Sequence, residues 1–468
     1  MDPLIEAYNK TLRFEFDSSS TILEKHADQP GAIYLAHMNE AIKLFISEDE
    51  LEYETFKVNS ETRIKDLRNQ AEGEGPYQLF YISEIKLHET FLQLKFGEEL
   101  SAAWSFRQSF RATQKNIEKY PDFYLHYKTL GIQQIIIGSA PERHQWLLKL
   151  LGFHGTVEEG LRNLEIFSQK AEFRKLESEL TLAFIYSHLL QNGERSLEIL
   201  TDYQDLSSSH PLVNFSFISI LSKLSKNEEA YKHLTDFNLN GYSVPFPFNK
   251  YLQGNLLLQR GNYKKSIDSY SGFTEEFRGR NYLKDAKYKI GIAYHLLEDE
   301  TNSNLWFYRA KSTKPMVTEA DRYASHALNT VLPDKRLIRV RLFTDGGYYD
   351  KSKNILSGIL FEELKNPRDK IELKYRWARL YHKLGENEKS IPFYEEVIDL
   401  TYTDQWYFAP NAALQLGYIH LEKGALKLAK EYFEKSLEYN NHPYQNSIDN
   451  KAKTGLSKIK RLSQKSQD

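Results

Sequence analysis

The side chains that could do chemistry in this 468-residue chain are spread thinly along it. No two of its 14 histidines are closer than His144 and His154. A helix that holds zinc with two imidazoles needs them four residues apart, on one face. His88-Glu89 opens that pattern, but Leu92 stands where the second imidazole would be. The chain has no cysteine, which removes thiolate metal sites, iron–sulfur clusters, disulfides and thiol nucleophiles. A phosphate-cradling loop is also missing. Gly73-Glu74-Gly75 runs into Pro76 with no strand before it and reads as a turn, as does Gly346-Gly347. No serine has glycine at both −2 and +2, so there is no nucleophile elbow. The expectation is a chain with no metal, no cofactor and no catalytic residue. An enzyme with a dispersed site in a cleft is the alternative, since carboxylates on surface helices cannot be paired by spacing alone.

What the spacing supports is recognition. Tyr251, Asn255, Tyr288, His295, Tyr375, Arg379, His382 and Tyr418 fall at corresponding places in a repeated pattern. Tyrosine joins a flat apolar ring to a polar tip and is a common anchor at interfaces. The competing reading is that these rings pack on the neighbouring repeat. Both readings need an element that presents such residues on one face, and the repeat supplies it.

Residues 372–398 and 411–437 can be laid over each other. Gly385 then meets Gly424, Ser390 meets Ala429, Tyr394 meets Phe433 and Val397 meets Ser436. Each unit reads as a helix, a short turn and a second helix. Small residues sit where the helices touch, and a ring fills the gap four residues on. This is the tetratricopeptide pattern, with a period of about 34 residues. Residues 251–273 repeat it with Gly254, Gly261, Ser266 and Tyr270. Residues 287–315 repeat it with Gly291, Tyr294, Phe307, Ala310 and Pro315. Weaker copies lie at 180–200, 214–237 and 337–360, for about seven pairs between residues 170 and 440. The first helix of each pair lines the groove of such an array. The positions so assigned are Phe248, Tyr251, Asn255 and Leu258; Asp285, Tyr288, Ile292 and His295; Glu372, Tyr375, Arg379 and His382; and Asn411, Leu414, Tyr418 and Leu421. A chaperone-type carboxylate clamp is not expected, because Tyr251 stands where its lysine would be.

Composition agrees with a helical scaffold. Lys+Arg number 62 and Asp+Glu 64, for a net charge of −2, so no whole-chain basic field attracts nucleic acid. Aromatic residues make up 13 %, enough ring area for a large core, while Pro and Gly are sparse. No run of 18 apolar residues is present, so no transmembrane span is expected. The beginning Met1-Asp2-Pro3-Leu4 has no basic and apolar leader pattern. The expected location is cytoplasmic as written, or periplasmic or exported if a leader has been removed.

Before the array, residues 4–16 and 32–46 read as helices. Long helical runs follow at 77–96 and 98–120, and then comes the apolar stretch 128–153. Left in water, residues 131–153 would form a large exposed patch. They are expected to be buried between the long helices and the array, with Ile135, Ile137, Leu147 and Leu150 inside. Within residues 131–164 the order is Gly131, Ile135–Ile137, Pro141, Arg143, Leu147–Leu151, Gly152-Phe153-His154-Gly155 and Gly160-Leu161. This order, with Ser109-Phe110-Arg111 before it, resembles a eukaryotic tetratricopeptide family. That family includes inclusion-body-clearance and mitochondrial outer-membrane-type proteins, and a bacterial relative would share the pattern. The resemblance implies a non-enzymatic helical-repeat protein with a role at protein aggregates or lipid droplets.

The expected architecture is all-α: an N-terminal helical region over 1–165, an array of helical pairs over 166–448 and a basic tail over 449–468. The expected function is a scaffold whose concave groove binds a protein segment. A peripheral membrane adaptor is the other alternative. The tail carries Lys451, Lys453, Lys458, Lys460, Arg461 and Lys465 and reads as a solvated terminal helix rather than an anionic-surface contact.

Overall fold

A computed structural model describes residues 2–69, 75–140, 148, 152–237, 246–314, 318–401 and 406–465. Among the described residues there are 24 α-helices and no strand. The first ten are α1 (Pro3–Leu12), α2 (Phe16–Glu24), α3 (Pro30–Ser47), α4 (Glu50–Asn69), α5 (Pro76–Phe96), α6 (Glu99–Lys119), α7 (His126–Gly138), α8 (Val157–Lys170), α9 (Lys175–His188) and α10 (Gly193–Thr201). Next come α11 (Pro211–Lys223), α12 (Asn227–Asp236), α13 (Phe248–Arg260), α14 (Tyr263–Glu276), α15 (Leu283–Leu296), α16 (Glu300–Ser312) and α17 (Glu319–Ala327). The last seven are α18 (Lys335–Asp345), α19 (Tyr349–Ser357), α20 (Pro367–Lys383), α21 (Asn387–Leu400), α22 (Phe408–Glu422), α23 (Leu426–Leu437) and α24 (Gln445–Lys465).

The chain divides into two compact units. The first holds residues 1–220, 229–250 and 275–281; the second holds 221–228, 251–274 and 282–468. The division passes through α11, α13 and α14.

In the second unit three of the pairs are locked by a glycine against a ring. A Cβ on Gly254 would meet the Tyr270 ring at 2.6 Å, one on Gly291 the Phe307 ring at 2.6 Å, and one on Gly417 the Phe433 ring at 2.5 Å. The helices therefore approach as closely as backbone allows. A buried hydroxyl fastens the crossing in three of the pairs. Ser266 donates to the Gly254 carbonyl at 2.9 Å, Ser303 to Gly291 at 3.0 Å and Ser352 to Val340 at 3.3 Å, each reaching back twelve residues. Left-handed residues close the turns: Gly261, Gly347, Gly385 and Gly424 at φ +74° to +88°, and Glu298 at φ 66°. The successive helices α9/α10, α11/α12, α13/α14, α15/α16, α18/α19, α20/α21 and α22/α23 form pairs. The short single helix α17, packed on α15, was not foreseen. Helix α24 caps the array. Ile448, Ala452 and Ile459 lie buried against Leu414, Leu421 and Phe433, so one face of the basic tail is core rather than solvated. Pro315, expected to end one copy, lies outside the described residues.

The first unit starts with the same lock. Ser19 donates to the Ala7 carbonyl at 3.0 Å, again twelve residues back, so α1 and α2 form a repeat-like pair that the sequence reading missed. Residues 4–16, read there as one helix, break at Arg13, because Phe14 takes a left-handed φ of 60°. Helices α5 and α6 fall within a residue of the expected runs at 77–96 and 98–120. Helix α7 packs on α6 and α8, and Ile135 and Ile137 are 8 % and 6 % exposed, as expected for a buried segment. Leu147, Leu150, Pro141 and Arg143 lie outside the described residues. The glycines of the resembling motif have a packing role. A Cβ on Gly131 would meet the Gly160 carbonyl at 2.8 Å, and one on Gly160 the Gly131 carbonyl at 2.5 Å, so α7 and α8 touch backbone to backbone.

Beneath these helices lies a charged core. Lys128 pairs with Glu84 and, at 2.6 Å, with Glu177. Burial would raise the Glu84 carboxyl, but Lys128 outweighs it and takes the carboxyl down to about 2. The buried Arg174 guanidinium lies 5.1–5.5 Å from the ring centres of Tyr8, Tyr34, Phe80 and Phe173. Beside it, the rings of Tyr34, His88, His37 and Phe56 form a column, with the two imidazoles 5.5 Å apart and nearly parallel.

Candidate functional site

The first helices of the pairs in the second unit enclose a cavity of about 480 Å³. Helix α13 supplies Asn255 and Leu258, α15 supplies Asp285, Tyr288, Lys289 and Ile292, and α18 supplies Arg341 and Asp345. Helix α20 adds Tyr375, Arg376 and Arg379, α22 adds Asn411, and α24 adds Ser447, Ile448 and Lys451. Tyr323 from α17 completes one wall. The second helices of the pairs contribute no lining residue, since their rings and hydroxyls are used in the locks.

Of the eight residues singled out in the sequence, Asn255, Tyr288, Tyr375 and Arg379 line this cavity. The other four lie away from it. Tyr251 is 4 % exposed and donates to Asp285 at 2.6 Å. His295 pairs with Glu300 at the turn after α15. His382 faces the Tyr394 hydroxyl at 3.2 Å, and burial takes its imidazole down to about 4. The Tyr418 hydroxyl donates to the Lys451 carbonyl at 3.3 Å. Tyr288 and Tyr375 are only 3 % and 2 % exposed, so most of each ring is core. Replacing either by alanine would open a void, and such a variant reports on packing before it reports on binding.

Two polar networks hold the cavity wall. In one, Lys289 pairs with Asp285 at 2.7 Å and donates to the Asn255 amide oxygen at 2.7 Å, which also accepts from Tyr270 at 2.7 Å. This ties α13 and α14 to α15. In the other, Glu372 lies 1 % exposed beneath the cavity, held by Arg376 at 2.6 Å and Arg368 at 2.6 Å. Burial would raise its carboxyl, but Arg368, Arg376 and Arg341 together take it down to about 2. Arg376 also reaches the Tyr407 hydroxyl at 3.1 Å.

The remaining cations of the lining are paired differently. Arg341 donates to the Tyr323 hydroxyl at 2.6 Å, and Arg379 reaches the Gln415 amide oxygen at 3.4 Å. The sequence reading did not find Arg341, Lys451 or the tyrosines Tyr323, Tyr407 and Tyr444. A signal for Arg341 was present: Asn255 and Arg379 each lie six residues before a turn glycine, Gly261 and Gly385. Arg341 lies six before Gly347. Among the described residues no group of three His, Asp or Glu side chains is placed to hold a metal ion. No described helix is long and apolar enough to cross a membrane.

A family model described as tetratricopeptide repeat matches residues 371–404 and 410–443. These windows hold α20 with α21 and α22 with α23. No curated protein matches the chain. Among solved structures, yeast Tom70 is similar at 14 % identity, over 97 % of this chain and 88 % of that one, with a TM-score of 0.26. The tetratricopeptide domain of P58(IPK) is similar at 15 % identity, over 81 % and 99 %, with a TM-score of 0.24. The Cut9–Hcn1 assembly of the APC/C gives 11 %, 96 %, 95 % and 0.23. These likenesses are too loose to bear on function. The described residues are all-α, residues 371–404 and 410–443 match tetratricopeptide repeats, and other helical pairs of the second unit share their glycine–ring locks.

Proposed function

We propose that the chain is a non-catalytic scaffold whose second unit binds a protein segment in the cavity between α13 and α24. The observation that carries this reading is the origin of the lining: it comes from the first helices of successive pairs, with α17 and α24. Repeat arrays of this type present such faces to extended partners. The resemblance carried by residues 131–164 extends the proposal to a partner found on protein aggregates or lipid-coated bodies.

The test fills the cavity without touching its charges. Ala320→Trp/Ser447→Trp adds two indoles at lining positions that are neither core nor paired. Partners captured from the native host by the wild-type chain are expected to be lost with this variant while its helical circular dichroism is unchanged. A variant that folds and keeps every partner would overturn the reading.

A further inference from the structure

The cations of the cavity are unevenly matched. Lys289 and Arg376 have carboxylate partners at 2.7 Å and 2.6 Å. Arg341, Arg379 and Lys451 have no carboxylate within ion-pair distance among the described residues, although all three line the same space. They come from three helices, α18, α20 and α24. Lys383 stands one turn beyond Arg379 on α20, and Lys223 ends α11; neither has an ion pair among the described residues. Among the described residues Asp345 is the one carboxylate of the lining not already in an ion pair. Half-buried positive charges left together repel one another, and the lowest-energy remedy is a bound anion.

Resting on the reading above, we propose that the bound segment carries a run of acidic side chains, and that Arg341, Arg379 and Lys451 neutralise them from three sides. A single carboxylate at a chain end could satisfy only one or two of these cations, which favours several side-chain carboxylates. The electrostatics agree. Burial, with Arg379 and Lys223 nearby, pushes the Lys383 ammonium down to about 8 even with Asp345 opposing. Burial, Lys223 and Arg379 push Lys451 down to about 8 as well. Each lysine would regain its full charge beside an anion.

The experiment uses the full chain and an array of amidated random dodecapeptides, with a second array of neutral dodecapeptides ending in a free carboxylate. Binders from the first array are expected to be enriched in Asp and Glu, and replacing those by Asn and Gln should abolish binding. Arg379→Gln/Lys451→Gln should weaken them by about tenfold or more, and Arg379→Lys/Lys451→Arg should not. Binders of average acidity that the Ala320→Trp/Ser447→Trp variant still excludes would overturn this inference and leave the groove reading standing. Binding confined to the free-carboxylate array would also overturn it, in favour of a single terminal anion. Binding that survives the two tryptophans, or no binding to either array, would overturn both readings.

Discussion

Acid should loosen the first unit through the stacked pair His37 and His88. Burial drives the His37 imidazole well below its usual value, and it takes His88 down to about 4 with Lys128 adding to the effect against Glu84. In the unfolded chain each histidine titrates near pH 6.5. The folded value is the lower one, so the unfolded chain binds the proton first. The stability held by the neutral pair is complete above about pH 6.5 and is lost as the pH falls toward about 4. For His88 the whole loss is about 3 kcal/mol, and at pH 5 about 2 kcal/mol has gone. The neighbouring carboxylates do not blur this window: Glu84, held at about 2, loses its stabilisation only below the usual carboxylate range. Hydrogen exchange resolved by peptide is the suitable assay, since it reads local opening free energies. Between pH 7.5 and 5, segments of α3 and α5 should lose about 2 kcal/mol or more of opening free energy after correction for intrinsic rates. His88→Phe keeps a ring in the column and removes one titration, so the loss should shrink. Opening free energies that are equal at both pH values would refute the argument.

Two further perturbations test the packing. Lys128→Met leaves Glu84 and Glu177 buried together without their cation, and should lower stability by about 3–5 kcal/mol in urea unfolding, with a smaller loss when Glu84→Gln is added. Gly417→Ala drives a methyl into the Phe433 ring and should destabilise by about 1–3 kcal/mol, part of which Phe433→Leu restores; equal thermal midpoints for Gly417→Ala and wild type would sink the lock as described.

The repeat was legible because it is written in side-chain size. Gly254, Gly291 and Gly417 are small where helices must meet, and Tyr270, Phe307 and Phe433 fill what they leave. The copy at 337–360 was fainter because Val340 replaces the glycine, although Ser352 still makes the bond. The pair α1/α2 escaped notice because Ala7 and Ser19 are common residues whose meaning lies in their twelve-residue separation. At the cavity, the register identified a face but not which residues on it stay accessible. Tyr251 lies on the expected helix, yet its hydroxyl is used by Asp285. Lys451 was assigned to a solvated tail because its contribution depends on α24 folding back as a cap, which no local pattern announces. The left-handed turns at Glu298 and Ser225 carry no glycine, so they left no mark in the sequence either.

The hydroxyl that reaches back twelve residues has a mechanical consequence. It fastens the two helices of one pair, and none of Ser266, Ser303 and Ser352 reaches the next pair, whose links are side-chain pairs such as Tyr251 with Asp285 and Lys289 with Asn255. Under tension applied to the chain ends, a pair should therefore come away as a quantum, rather than helix by helix. The distance from Gly254 to Gly291 is 37 residues and from Ala378 to Gly417 it is 39. At about 3.5 Å of extended chain per residue, each rupture releases about 130 Å. An optical-trap record of the second unit would then be a staircase with treads of that length, its spacing set by the sequence period and its height by a glycine, a ring and a serine.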